Sequence, residues 1–136
     1  MTSTVLSPSA LKTVTGTAVD ARTDVYALGV LLDVGANVDS DPENLVQFAA
    51  MGAIFAEEIL ELPRPDVRLL SIGEEPEKGN QLTLEAHALL AASDLRFAGN
   101  AESRDLLAGV ADVVVCDGFT GNVALKLLEG TIATLL

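Results

Sequence analysis

The chain has 136 residues, of which 20 are acidic and eight basic, for a formal charge of −12. That length suits one domain with a real core rather than two. The charge excludes nucleic acid as a partner, because phosphate contacts need clustered Lys and Arg.

Hydrophobic content is 49%, with no Trp, one Tyr and four Phe, and mean hydropathy is +0.40. Such a chain packs with Ala, Val and Leu, and apolar surface is expected to remain for another subunit. The single cysteine, Cys116, excludes an internal disulfide and fits a reducing cytoplasm. No basic segment leads into an apolar one at the start, and no apolar run nears the roughly 20 residues of a membrane-spanning helix. The expectation is a soluble, cytoplasmic chain.

Residues 1–20 are rich in Ser and Thr and keep no period, which reads as a loose arm. The run Asp24-Val25-Tyr26-Ala27-Leu28-Gly29 resembles the segment after the activation loop of bacterial Ser/Thr protein kinases. No Gly-rich nucleotide loop, His-Arg-Asp or Asp-Phe-Gly motif accompanies it, which excludes kinase activity. Residues 1–30 are therefore expected as an arm, disordered or of foreign origin, ahead of an α/β domain at 31–136.

Val30 to Val34 is a continuous apolar run that suits a buried parallel strand. Asp39-Ser40-Asp41-Pro42-Glu43 then supplies a cap, a first-turn proline and an acid for a helix. The spacing of Leu45, Phe48, Ala49, Gly52, Phe55, Ala56 and Ile59 predicts that helix over 42–60, stopped by Pro63 and Pro65. A strand at 66–72 and a helix near 81–92 follow, the latter with Leu82, Ala86, Leu89 and Leu90 towards one side. His87 reads as a solvated surface residue. Leu95 to Ala98 is a short strand, Asn100 to Leu107 a short helix or turn, and Ala111 to Cys116 the most β-like segment. Asn122 to Leu136 reads as a last helix, with Leu125, Leu128, Ile132 and Leu135 at helical spacing. This alternation predicts a layered α/β fold with a largely parallel sheet.

Three loops share one layout, at Asp33–Asn37, Gly73–Asn80 and Asp117–Asn122. Each ends an apolar run, contains glycine and precedes a helical pattern. At the carboxyl ends of parallel strands they would face one crevice. Helix starts there offer backbone N–H groups to an anion, and Lys78 adds a movable positive charge. Gly118, Phe119, Thr120, Gly121 and Asn122 can present amides and a carboxamide to phosphate or a carbonyl oxygen. Asn37 can donate a hydrogen bond, and Asp33 and Asp117 can orient donors or accept a proton. The plainer reading of these residues is structural: turn glycines at Gly35, Gly73, Gly79 and their like, and helix caps at the Asn and Asp positions. Glu74 and Glu75 would repel a phosphate, so they are expected to engage Lys78 or a backbone amide, or to stand in solvent. Cys116 follows three valines with no His or Arg close in sequence, which points to a buried inert thiol rather than a nucleophile.

Taken in order, Leu32-Asp33-Val34-Gly35-Ala36-Asn37, Gly73-Glu74-Glu75 with Lys78-Gly79, and Val115-Cys116-Asp117-Gly118-Phe119-Thr120-Gly121-Asn122-Val123 resemble the phosphate acyltransferases of bacterial phospholipid synthesis, the PlsX family. The resemblance runs from about Leu31 to Leu136. It implies a fold similar to that of isocitrate and isopropylmalate dehydrogenases, here incomplete, since a complete member is more than twice this length. It also implies a reaction, in which acyl-(acyl carrier protein) and inorganic phosphate give acyl phosphate and free carrier protein. That chemistry requires no metal or organic cofactor. Acyl carrier protein and phosphate are the implied partners, together with a homodimer and weak peripheral association at the inner face of the membrane. The arginines Arg64, Arg68, Arg96 and Arg104 are candidates for meeting the acidic carrier. Two alternatives stay open at this point. One is a phosphotransacetylase-like enzyme using acyl-coenzyme A, and the other is a catalytically inactive fragment that only pairs with other subunits.

Overall fold

The computed structural model describes residues 39–106 and 108–136 in full, and 3–7, 10–13 and 30–32 as strand backbone. Strand β1 is Ser3–Ser7, β2 Ala10–Thr13 and β3 Val30–Leu32; helix α1 is Pro42–Glu58 and strand β4 Val67–Ser71. Helix α2 is Gln81–Ala91, β5 Phe97–Glu102, β6 Val113–Val115 and α3 Gly118–Leu135. The strands form one six-stranded sheet in the order β2-β1-β3-β6-β4-β5. From β3 to β5 every pairing is parallel, whereas β1 pairs antiparallel with both β2 and β3.

The central strands are short and apolar because both of their faces are covered. Val67 and Leu69 of β4 and Val113 and Val115 of β6 cluster with Leu45 and Phe48 of α1 and Ala86 and Leu90 of α2. The alternate residues Leu70 and Val114 turn the other way, with Cys116, Leu106 and Ala111, and meet Leu125 and Leu128 of α3. The period-two alternation of a strand thus divides the core into two layers, with α1 and α2 on one face of the sheet and α3 on the other. Cys116 is buried, as its neighbours suggest.

The helix starts follow their capping residues. Pro42 opens α1, and the Asn44 side chain accepts the Asp41 N–H at 2.9 Å. Asn80 caps α2 by accepting the Thr83 N–H at 3.0 Å. Asp117 caps α3 by accepting the Thr120 N–H at 3.2 Å. That cap moves the start of the last helix forward: Gly118 to Gly121, expected as a loop, form its first turn. After α1, Glu61 and Arg64 take left-handed backbone with φ of 56° and 49°, which turns the chain back towards β4.

Other expectations shift. The stripe of α1 loses Ile59, which is its C-cap and 57% exposed, and gains buried Ala53. In α2 only Ala86 and Leu90 are buried, and Leu89 faces outward. In α3 the distal Ile132 and Leu135 of the expected stripe are exposed. The strand expected at 95–98 lies instead at Phe97–Glu102 and ends in a 3-10 turn, Ser103–Asp105. Asn100 is a poor strand former whose preference is overridden by pairing with Leu69 of β4, while Gly99, with φ of 106°, sits where the register shifts between Val67 and Leu69. His87 is half-buried rather than solvated, with its ring edge-on to Phe97 at 5.0 Å. Within the segment expected as a loose arm, β1 and β2 extend the sheet. The kinase-like run at 24–29 lies outside the described residues.

Candidate functional site

The parallel strands end on a common side, and a cleft of about 530 Å³ opens there. Its floor is the end of β4, with Leu70, Ser71 and Ile72, and Ser103 just beyond β5. Asn80 and Thr83 from the start of α2 stand at one wall. The opposite wall is α3, from Asp117, Phe119 and Thr120 at its start to Val123, Ala124 and Leu127 two turns on. Phe119, Val123 and Leu127 recur every fourth residue and so present one apolar stripe to the cleft. A second hollow of about 350 Å³, lined by Asp39, Ser40 and Leu82, shares Asn80, Asp117, Phe119 and Thr120 with the first. The site is therefore apolar along α3 and polar where the two helix starts converge.

Those two starts are chemically alike. Each cap residue satisfies the amide of the third residue beyond it, Thr83 for Asn80 and Thr120 for Asp117. The amides of Gln81, Leu82, Gly118 and Phe119 meet no acceptor among the described residues. Two sets of N–H groups at the positive ends of two helices make a setting for an anion in an otherwise acidic chain.

The loop from Gly73 to Asn80 is held tightly at its second glycine. Gly79 has φ +126°, and a Cβ there would overlap the Thr83 hydroxyl and lie 2.9 Å from Ser71 Oγ. Only glycine fits this approach of the loop to α2. Ser71 Oγ donates to the Lys78 carbonyl at 3.1 Å, and the Lys78 N–H donates to the Glu75 carbonyl at 3.0 Å. Buried Asn100 of β5 donates to the carbonyls of Gly73 and Glu75 at 3.2 Å and 3.1 Å.

The structure sorts the sequence-predicted residues. Gly79, Asp117, Phe119 and Thr120 line the cleft. Gly118 and Gly121 are buried in the first turn of α3, and Asn122 is half-buried beyond them. Gly73 is buried beneath the loop, and a Cβ on it would meet Glu75 Oε2 and Lys78 Cγ at 2.9 Å each. Lys78 is exposed and does not line the cleft. Glu74 stands with Glu102 and Asp105, their carboxylate oxygens within 4.8 Å of one another, and is also outside the cleft lining. Glu75 is exposed on the same loop. Asp33, Gly35 and Asn37 lie outside the described residues. Of the four arginines, Arg68 and Arg96 both act on Asp66, and Arg104 stands apart from them. Arg96 donates to the Arg64 carbonyl at the amino end of the strands, Arg68 to the Asn100 carbonyl, and Arg104 pairs with Glu102 beyond the carboxyl end of β5.

Sequence reasoning missed Ser71, Thr83, Ser103 and Leu127 as cleft residues, and had Asn80 and Val123 only as the ends of a loop and a motif. Asn80 before a helical pattern is a cap signature that marks a helix start at the site. Ser103 carries no such signal, because its position depends on where β5 ends.

Residues 1–136 match the family model described as fatty acid synthesis protein. Among relatives, the chain is 64% identical over 102 residues to the phosphate acyltransferase of Bacillus pumilus (strain SAFR-032), covering 75% of this chain and 31% of that protein. It is 60% identical over 102 residues to the phosphate acyltransferase of Geobacillus sp. (strain WCH70), with the same coverage of 75% and 31%. With that of Bacillus cereus (strain B4264) it shares 58% identity over 106 residues, 78% of this chain and 32% of the relative. The chain thus spans about a third of the length of the curated relatives it matches. On the match of the family model along all 136 residues, the chain belongs to the fatty acid synthesis protein family.

Proposed function

We propose that this chain carries the anion-handling part of a phosphate acyltransferase, which forms acyl phosphate from acyl-(acyl carrier protein) and inorganic phosphate in fatty acid and phospholipid synthesis. The observation that carries the reading is the cleft, apolar along Phe119, Val123 and Leu127 and closed by the starts of α2 and α3. A long apolar acyl group and a small dianion need such neighbouring surfaces. The relatives' shared name supports the reaction.

In this reading a phosphate oxygen attacks the thioester carbonyl carbon, the C–S bond breaks, and the carrier thiolate leaves and takes up a proton. The products are acyl phosphate and free carrier thiol, and the protein's task is positioning and oxyanion stabilisation. The amides at the two helix starts, with Lys78 as a mobile point charge, hold phosphate beside Gly79, Thr120 and Gly121. Asn122 and Asn37 donate to the carbonyl oxygen, and Asp117 and Asp33 orient donors or accept a proton. Glu74 and Glu75 shape the loop from outside the cleft.

Assembly and location extend the proposal. Ile132 and Leu135 are exposed on α3, and we assign this face of the helix a part in homodimer contact and weak peripheral association with the cytoplasmic face of the membrane. No helix among the described residues is long and apolar enough to cross a membrane.

The test is loss of thioester from palmitoyl-(acyl carrier protein) with and without inorganic phosphate, for this chain and for Lys78→Ala. Phosphate-dependent turnover is expected, falling about a hundredfold in the variant, as removal of one transition-state donor does. Turnover that ignores phosphate, or survives the substitution unchanged, would overturn the assignment.

A further inference from the structure

Asn100 lies on β5, outside the cleft lining and outside the loop it touches. It is 2% exposed and pairs in register with Leu69 of β4. Both of its carboxamide contacts go to backbone carbonyls of the loop after β4, those of Gly73 and Glu75. The Glu75 carbonyl also accepts the Lys78 N–H, so Asn100 and Lys78 share one acceptor. Asn100 Oδ1 accepts no hydrogen bond from the described residues.

This arrangement fixes the orientation of the side chain. Two carbonyl oxygens face the same end of it, so only the NH₂ end can point there, and a reversed carboxamide would set oxygen against oxygen. A buried carboxamide that donates to two loop carbonyls ties the loop to β5 at two points. The loop it holds leads directly to Gly79 and Asn80 at the cleft, where Gly79 leaves no room for a side chain against Thr83 and Ser71.

We infer that Asn100 is a positioning residue for the anion site, fixing the Gly73–Gly79 loop so that Lys78 and the first amides of α2 are set for inorganic phosphate. The inference rests on the phosphate reading of the cleft. Asn100 touches no substrate and acts through the loop. Its effect is confined to phosphate and leaves the apolar wall on α3 unaltered.

The test is amide hydrogen exchange on the 136-residue chain and on Asn100→Leu, across a titration with inorganic phosphate. In the unaltered chain, phosphate is expected to slow exchange of the amides at residues 78–83 and 118–121. In Asn100→Leu, the Lys78 amide is expected to exchange about tenfold faster, and half-saturation by phosphate to need about tenfold more, the factor for one lost hydrogen bond. The β6 amides at Val113–Val115 are expected to keep their protection. Equal loop protection and an equal phosphate response in the two chains would overturn the inference while leaving the phosphate reading intact. A loss shared by β6 would overturn it too, by making Asn100 a general core residue. An unaltered chain whose helix starts ignore phosphate would defeat the phosphate reading and the inference with it. Should Asn100→Leu not fold, Asn100→Asp, of nearly equal volume, is read by the same criteria, and failure of both to fold would assign Asn100 to folding alone.

Discussion

Gly79 and Gly73 occupy one loop but make different demands. At Gly79 any side chain meets both a left-handed backbone and the Thr83 hydroxyl. Gly79→Ala is expected to destabilise the fold by about 1–3 kcal/mol, read from the denaturant midpoint. At Gly73 an added methyl meets only flexible side-chain atoms of Glu75 and Lys78, so Gly73→Ala is expected to be the milder change. Asp66 behaves differently again. Burial raises its carboxyl above the ordinary carboxylate value; Arg68 opposes this, Asp112 adds to it and Arg96 opposes it. Because the folded state holds this proton more tightly than the unfolded one, its contribution favours folding below the unfolded value. That contribution is lost as pH rises through the folded value. Asp66→Asn, which cannot ionise, is therefore expected to gain stability relative to the parent between about pH 4 and pH 7. Denaturation of both chains across that range checks the sign, and a gap that narrows with rising pH would contradict it.

On the scale of elements, α2 rests on few residues. Leu90 is fully buried between α1 and the sheet, whereas Leu89 beside it is 39% exposed. Leu90→Ala is expected to lower stability by about 2–5 kcal/mol, and Leu89→Ala by less than about 0.5 kcal/mol. Chemical denaturation of the pair measures the contrast. The same elements show what could be read from the chain alone. The Val113–Val115 strand and the start of α1 at Pro42 were legible because composition and capping agreed there. The start of α3 was not, because Asp117 and Gly118 suit a turn as well as a cap, and only the Asp117–Thr120 bond decides between them. Strand β5 was misplaced because Asn100 is drawn into the strand by pairing with Leu69 of β4, a contact distant in sequence, past an irregularity at Gly99 that reads as a turn. The cleft was legible as a meeting of loops, but its apolar wall was not. The expected stripe of α3 was Leu125, Leu128, Ile132 and Leu135, whereas Phe119, Val123 and Leu127 line the opening.

Across the whole molecule, the formal charge of −12 acts on stability as well as on partners. Self-repulsion among so many carboxylates opposes the compact state and is screened by salt. The thermal midpoint is expected to rise between low ionic strength and about 0.15 M, where the screening length is about 8 Å. A midpoint that falls would mean that attraction between charges outweighs repulsion. The order of the sheet has a consequence of another kind. Strand β6 lies between β3 and β4, yet follows both in the chain, so that Val113 pairs with Val30 on one side and with Val67 on the other. During synthesis the β1–β2 hairpin and the β4–α2–β5 unit can assemble early, each within its own stretch. The two halves cannot join until Val113–Val115 leaves the ribosome. Until then β3 and β4 each keep an unpaired strand edge, the state in which a nascent chain is most open to capture by another like it. Three consecutive valines thus set the moment in translation at which these six strands can become one sheet.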